Sequence, residues 1–170
     1  MLIAHLPTGY LVSNFLVRNI AKTDKEARLM LTIGLLASVL PDFDLFYFYL
    51  IDDKQTFHHE YWPHIPFYWV ALIPFAFYAS RKSRYLKIAL ISAYTNLFTH
   101  LLLDTVTGGI LWGYPITYST YRLIEIPNQY SHWILNFTLH WSFLLEILIT
   151  LTALIKLSQH LSGKNKHLDN

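Results

Sequence analysis

The chain has 170 residues, of which 54% are hydrophobic and only 14% charged, whereas soluble domains carry about a quarter charged residues. It contains no cysteine, which excludes disulfides and thiolate ligands, so a bound metal ion would be held by nitrogen and oxygen atoms. The formal net charge of +2 and the lack of a basic stripe interleaved with aromatic residues argue against nucleic acid as a partner.

Long apolar segments predict an all-α fold, a polytopic membrane helix bundle of four to five helices. The hydrocarbon core of a bilayer is about 30 Å thick and needs about 20 apolar residues in a helix. In chain order the segments are 9–20, 28–40 with a continuation to 51, 64–79, 85–103 and 133–157. Segment 9–20 is shorter and amphipathic, and either lies in the membrane interface or crosses the membrane packed against the others. The start of the chain lacks a basic signal-peptide region, so the first helix is expected to be retained.

The length of 170 residues predicts a single domain, and the sequence shows no internal repeat. We expect residues 1–158 to form one membrane-embedded helical domain and residues 159–170 to form a polar C-terminal tail.

The basic residues predict the orientation of this bundle. If the segments alternate across the bilayer, 11 of the 13 Lys and Arg fall on one side, in groups at 18–28, 81–87 and 156–166. Short loops rich in Lys and Arg stay in the cytoplasm. The other face is therefore predicted to be non-cytoplasmic.

Histidines and aspartates collect at that predicted non-cytoplasmic face, although they come from at least four separate places in the chain. His100 and Asp104 are four residues apart and share one face of a helix. The collection of histidines and aspartates at one face and the spacing of His100 and Asp104 predict a site for one or two divalent ions. Nitrogen and carboxylate ligands suit Zn²⁺, Mn²⁺ or Fe²⁺ better than Ca²⁺. The predicted metal ligands are His5, Asp42, Asp44, His59, His64, His100 and Asp104.

Structural interpretations of these residues stay open at this stage. Asp42 and Asp44 could end one helix and cap the next, or they could point the same way in an extended segment and bridge two ions. His58 and His59 could be solvated loop residues.

Four motifs occur in order at these positions: a histidine near the N-terminus (His5), LPDFD at 40–44, HHEYWPH at 58–64 and HLLLD at 100–104, which TVTGGILWGYP follows. Over most of residues 1–120 they resemble the YdjM-like family of membrane-bound metal-dependent hydrolases. This chain has His59 and Ile65 where the family box commonly has Arg and Ser. The order of His and Asp also resembles, more loosely, that of zinc-dependent phospholipase C. The family resemblance implies a multi-pass protein of a prokaryotic inner membrane.

The resemblance and the ligand set together favour a membrane-bound hydrolase in which a divalent metal, Zn or Mn, activates water. Asp44 or Asp104 would accept the proton, and a phosphodiester of a lipid or of another membrane-proximal molecule would be the substrate. Arg122, in the loop 105–129, is the candidate cation for a phosphate. A non-catalytic module stabilised by metal, a partner-binding subunit and a small transporter are the alternatives. In the apolar segments, Arg18 and Glu146 are predicted to form an intramembrane ion pair.

Overall fold

The computed structural model describes residue 1 and residues 3–165, and the regular elements in these residues are helices, with one isolated β-bridge between Ile110 and Tyr121 in the loop after the longest of them. The α-helices are α1 (His5–Ile20), α2 (Asp24–Ala37), α3 (Asp44–Leu50), α4 (Pro66–Ser80), α5 (Arg84–Thr107), α6 (Trp133–Thr138) and α7 (Phe143–Asn165), and short 3-10 turns lie at Pro41–Phe43, His58–Glu60 and Trp62–His64. The predicted all-α class is confirmed.

Helices α1, α2 and α5 form the centre of the bundle, with α4 packed on α5 and α7 on α1. Local signals set where two of them begin: Thr23 caps α2 by accepting from the Glu26 backbone, and Ser83 caps α5. At this same end, the Arg84 guanidinium donates to both carboxylate oxygens of Glu26 and to the carbonyl of Ile20. These bonds tie the end of α1 to the beginnings of α2 and α5.

The interior between these helices is built from small and polar residues. The buried Asn96 amide donates to Ser13 Oγ at 3.1 Å, and Ser92 Oγ donates to the carbonyl of Met30 at 2.7 Å. A Cβ atom at Gly34 would lie 2.1 Å from Ser13 Oγ. Small residues that let helix backbones approach closely, joined by hydrogen bonds between helices, are typical of packing inside membranes.

Gly34→Ala is therefore expected to lower the free energy of unfolding by about 1–3 kcal/mol, since the added methyl group has to push two packed helices apart. Thermal unfolding of the detergent-solubilised protein would measure the change, with Thr32→Ala on the exposed side of α2 as the control. Equal stability of the two variants would contradict the close approach at Gly34.

Fewer helices can cross a membrane than the predicted four to five. Among the described residues, 84–107 and 143–162 are long and apolar enough, and a third span arises if Asp24–Ala37 and Pro41–Leu50, which meet at a 47° bend, are taken as one. Helix α4 is apolar but has only 15 residues, about 22 Å at 1.5 Å per residue. The prediction was based on the number of apolar stretches. Two of these stretches form helices α1 and α4, which have 16 and 15 residues and are too short to span a membrane alone.

The predicted last segment, 133–157, is also interrupted, since α6 ends at Thr138 and α7 begins at Phe143. Glu146 consequently lies in the first turn of α7, where its carboxylate accepts from the backbone of Ile3 at 2.5 Å and of Ala4 at 3.1 Å. Arg18 is in the last turn of α1, about 20 Å from Ala4 along the helix. The predicted Arg18–Glu146 pair is therefore wrong, and Glu146 instead stabilises the start of α1.

Part of the predicted polar tail is helical, because α7 continues to Asn165. Residues 166–170 of that tail lie outside the described residues.

Candidate metal centre

All seven predicted ligands meet at one end of the bundle, opposite the Glu26–Arg84 ion pair. His5 begins α1, and His100 and Asp104 lie on the last turns of α5. The connection between α2 and α4 brings the remaining four. Asp42 and Asp44 lie in and after the turn Pro41–Phe43, while His59 and His64 lie in the two turns that precede α4.

Four of these side chains form a first cluster, in which His5, Asp42, His100 and Asp104 each offer one ligand atom within 4.8 Å of the others. His5 Nε2 lies 3.1 Å from Asp104 Oδ1, and His100 Nε2 lies 2.9 Å from Asp104 Oδ2. The His5 and His100 rings stack with centroids 3.8 Å apart. Three of the four residues are almost completely buried, and Asp42 keeps 28% of its side chain exposed. The cluster thus has one partly open side.

A second cluster consists of His58, His59 and His64, which likewise each offer one nitrogen within 4.8 Å of the others. His64 joins the two clusters, because its Nε2 lies 3.6 Å from Asp104 Oδ2 and 3.3 Å from His100 Nε2. His58 was not among the predicted ligands, although the His58–His59 doublet was the available signal. The interpretation of both as solvated loop residues is wrong for His59, which is 95% buried, and His58 keeps only 22% of its side chain exposed.

Asp42 and Asp44 approach His64 through its two different ring nitrogens. Asp44 Oδ2 lies 2.6 Å from His64 Nδ1, and Asp42 Oδ1 lies 3.7 Å from His64 Nε2. The expectation that an extended segment points both carboxylates the same way is wrong, because the backbone here is helical. Neither the turn Pro41–Phe43 nor helix α3 has a side-chain N-cap. The structure therefore gives no support to the interpretation of Asp42 and Asp44 as capping residues.

Hydrogen bonds orient two of the imidazoles toward the cluster. His100 Nδ1 lies 2.8 Å from the carbonyl of Ser38, which can only accept, so Nδ1 carries the proton and Nε2 is free to ligate. The hydrogen bond from His64 Nδ1 to Asp44 likewise directs His64 Nε2 toward the cluster. A carboxylate or carbonyl behind a histidine in this manner is the usual support of a metal ligand.

The electrostatics of the second cluster favour a bound cation. Burial lowers the pKa of His59 to about 2, so this ring is neutral and available as a ligand. Burial also opposes the charged form of His64, but the carboxylates of Asp104, Asp42 and Asp44 around it, the last of them hydrogen-bonded to Nδ1, outweigh burial and raise the pKa of His64 to about 10. Without a metal ion, this imidazole therefore holds a proton, and its positive charge offsets the three carboxylates around it.

The residues present fit a divalent ion. Between His64 Nε2, His100 Nε2, Asp42 Oδ1 and Asp104 Oδ2, the measured separations run from 2.9 to 3.7 Å. Ligand atoms on a tetrahedron with bonds of about 2.0–2.1 Å are about 3.3–3.4 Å apart. Asp104 Oδ2 is buried and has no hydrogen-bond partner, although His100 Nε2 is so near. Close approach without hydrogen-bond geometry is expected of atoms that converge on a common ion.

An aromatic cleft of about 710 Å³ opens beside the second cluster. Asp44 lies in its wall, and its other lining residues include Phe43, Tyr47, Tyr61, Trp62 and Trp69. Asp44 Oδ1 has no hydrogen-bond partner. A polar site is thus continuous with an apolar cleft of the size that accommodates small ligands.

The loop after α5 closes one side of the centre. Its first residue, Gly108, packs so closely on His59 that a Cβ atom would lie 2.2 Å from the imidazole. Trp112 Nε1 donates to Thr105 Oγ1 at 2.8 Å and holds the loop on the helix. Arg122, the predicted phosphate-binding cation, forms an exposed ion pair with Glu125 at 3.4 Å. Arg122 therefore gains no support as a site residue.

Outward apolar faces and a buried histidine–aspartate centre together define a membrane helix protein with a candidate metal site. The family model of the YdjM inner membrane protein matches residues 1–163. The chain therefore belongs to the YdjM family of inner membrane proteins. Comparisons with curated proteins and with solved structures gave no match.

Proposed function

We propose that this protein is a membrane-bound metal-dependent hydrolase that acts on a phosphodiester of a lipid or of another molecule at the membrane surface. The single observation that carries the proposal is the convergence of imidazole and carboxylate atoms from distant parts of the chain at ligand–ligand distances. A divalent ion in such a site, Zn²⁺ or Mn²⁺, supplies Lewis acidity and lowers the pKa of water.

Each side chain of the centre has a separate role in this proposal. His5, Asp42, His100 and Asp104 would hold the ion, and His64 Nε2 lies beside them, 3.3 Å from His100 Nε2. Asp44 would orient His64 through Oδ2, and its second oxygen, Oδ1, has no hydrogen-bond partner. Asp44 Oδ1 is therefore a better proton acceptor than Asp104, whose two oxygens are enclosed by the Met1 ammonium and by histidines.

The aromatic cleft supports a substrate with an apolar part. Tyr and Trp side chains favour the interface between lipid and water, and Leu50 and Phe46 on α3 expose their side chains next to this region. The apolar part of a lipid would occupy the cleft, and its phosphodiester would reach the metal centre, where the cation offsets the charge of Asp44. The basic residues at the opposite end of the bundle support a centre that faces the non-cytoplasmic side.

The purified full-length chain in detergent is expected to hydrolyse a fluorogenic phosphodiester, to lose this activity in EDTA and to regain it with Zn²⁺ or Mn²⁺. His100→Ala removes a central ligand and should abolish both metal content and activity. His160→Ala, an exposed histidine on α7, is the matched control and should change neither.

A non-catalytic metal-stabilised module is the second candidate, because four protein ligands in the first cluster would already complete a structural zinc site. Tightly bound metal with no hydrolysis of phosphodiester, phosphomonoester or carboxylic ester substrates would favour that module and contradict the hydrolase. A protein without metal after growth in supplemented medium would contradict both.

A further inference from the structure

The centre offers more ligands than one ion uses. Zn²⁺ takes four ligands in most protein sites, and the first cluster alone supplies that number. His58, His59 and His64 remain, and the rings of His58 and His59 pack with their centroids 4.0 Å apart. A purely structural role does not account for two adjacent imidazoles that turn toward further carboxylates.

Buried polar atoms without partners surround the second cluster. Asp104 Oδ2, on a residue that is 99% buried, lies 3.8 Å from His59 Nε2 and has no hydrogen-bond partner. On the other side, Asp44 Oδ1 lies 3.5 Å from His58 Nδ1, and neither atom forms a hydrogen bond. Leaving buried polar groups unsatisfied destabilises the folded state, so a ligand common to these atoms would stabilise the fold.

Charge also bears on how the centre would treat an anionic substrate. Asp42, Asp44 and Asp104 bring three negative charges when ionised, and the Met1 ammonium at Asp104 Oδ1 together with one divalent cation balances them. A second divalent cation makes the centre positive overall, as an anionic phosphodiester requires. Neither cluster contains a Lys or Arg to supply that charge.

We propose that the second cluster, His58, His59 and His64, binds a second divalent cation beside the first, with Asp104 positioned to bridge the two. This inference rests on the proposed metal centre and deepens it from one ion to two. Two-metal hydrolytic sites hold their ions about 3.5–4 Å apart, and the contacts of Asp104 Oδ2 with His100 at 2.9 Å and with His59 at 3.8 Å suit a bridging carboxylate.

Metal stoichiometry and electron paramagnetic resonance test the proposal. The full chain in detergent is stripped with chelator, reloaded with Mn²⁺ and freed of excess ion. Wild-type protein is expected to hold two Mn²⁺ per chain and to give the broadened spectrum of a spin-coupled pair. His58→Ala should hold one Mn²⁺ with the six-line spectrum of an isolated ion, and His160→Ala should match wild type.

One Mn²⁺ per chain in the wild type, or two coupled ions in His58→Ala, would overturn the proposal. If His58→Ala loses helicity by circular dichroism, His58→Gln replaces it, and the wild-type stoichiometry decides regardless. Two ions without hydrolysis would support the second site while contradicting the hydrolase. One ion with EDTA-sensitive hydrolysis would support the hydrolase while contradicting the second site.

Discussion

Asp104→Asn is expected to cause the largest loss of metal binding and activity of any single substitution. The Asp104 carboxylate contacts the Met1 ammonium and His5 through Oδ1 and lies near His59, His64 and His100 through Oδ2. Asparagine keeps the size of the side chain but removes its charge and one ligand oxygen. We expect metal affinity to fall by more than about 100-fold, the upper end of the loss when a residue that merely supports a ligand is changed.

Isothermal titration with Zn²⁺ and the phosphodiester assay would measure the two effects of Asp104→Asn. Asp53→Asn is the control, because it removes an exposed carboxylate from the loop that leads to His58. Wild-type affinity in Asp104→Asn would refute the centre as described. A loss of equal size in Asp53→Asn would indicate a general effect of charge.

Gly108→Ala is expected to damage the centre although it removes no ligand. The backbone at Gly108 has a φ of −90°, which any residue adopts, so the expected cost is one of space. The new Cβ atom would lie 2.2 Å from His59 Cε1 and 2.8 Å from the carbonyl of Asp104. The carbonyl of Asp104 cannot move away easily because it belongs to helix α5. Displacing the His59 imidazole instead would move it away from the Asp104 carboxylate. A 10–100-fold fall in metal affinity or activity is expected, as for other changes that misorient a ligand.

Gly113→Ala serves as the matched control for Gly108→Ala. It lies in the same loop, and its Cβ atom would meet the end of the exposed Thr117 side chain, which can rotate away. Ion stoichiometry with Mn²⁺ should fall in Gly108→Ala and stay at the wild-type value in Gly113→Ala. Unchanged stoichiometry and activity in both variants would show that Gly108 does not position His59.

The sequence was sufficient to predict seven of the side chains that meet at the candidate centre, and it missed His58. His100 and Asp104 share a helix face because of their spacing, and the alternation of apolar segments places His5 and the LPDFD motif at the same end. The roles within the centre were not predictable in this way. Whether Asp42 and Asp44 point together or to opposite sides of His64 depends on backbone dihedral angles in a turn, and His58 joins the centre because His64 folds back against it.

For the fold, hydrophobicity and the helical period by themselves determined an all-helical, membrane-embedded chain whose basic residues and histidine–aspartate motifs belong to opposite ends. Only the tertiary structure decided how many helices can span a bilayer and where Glu146 lies. A break such as the one between Thr138 and Phe143 leaves composition unchanged, so a hydropathy pattern does not reveal it. Likewise, Glu146 bonds to the start of α1 because α7 packs against that helix. Contacts between residues more than 140 positions apart in the chain arise from packing, and local sequence patterns carry no information about them.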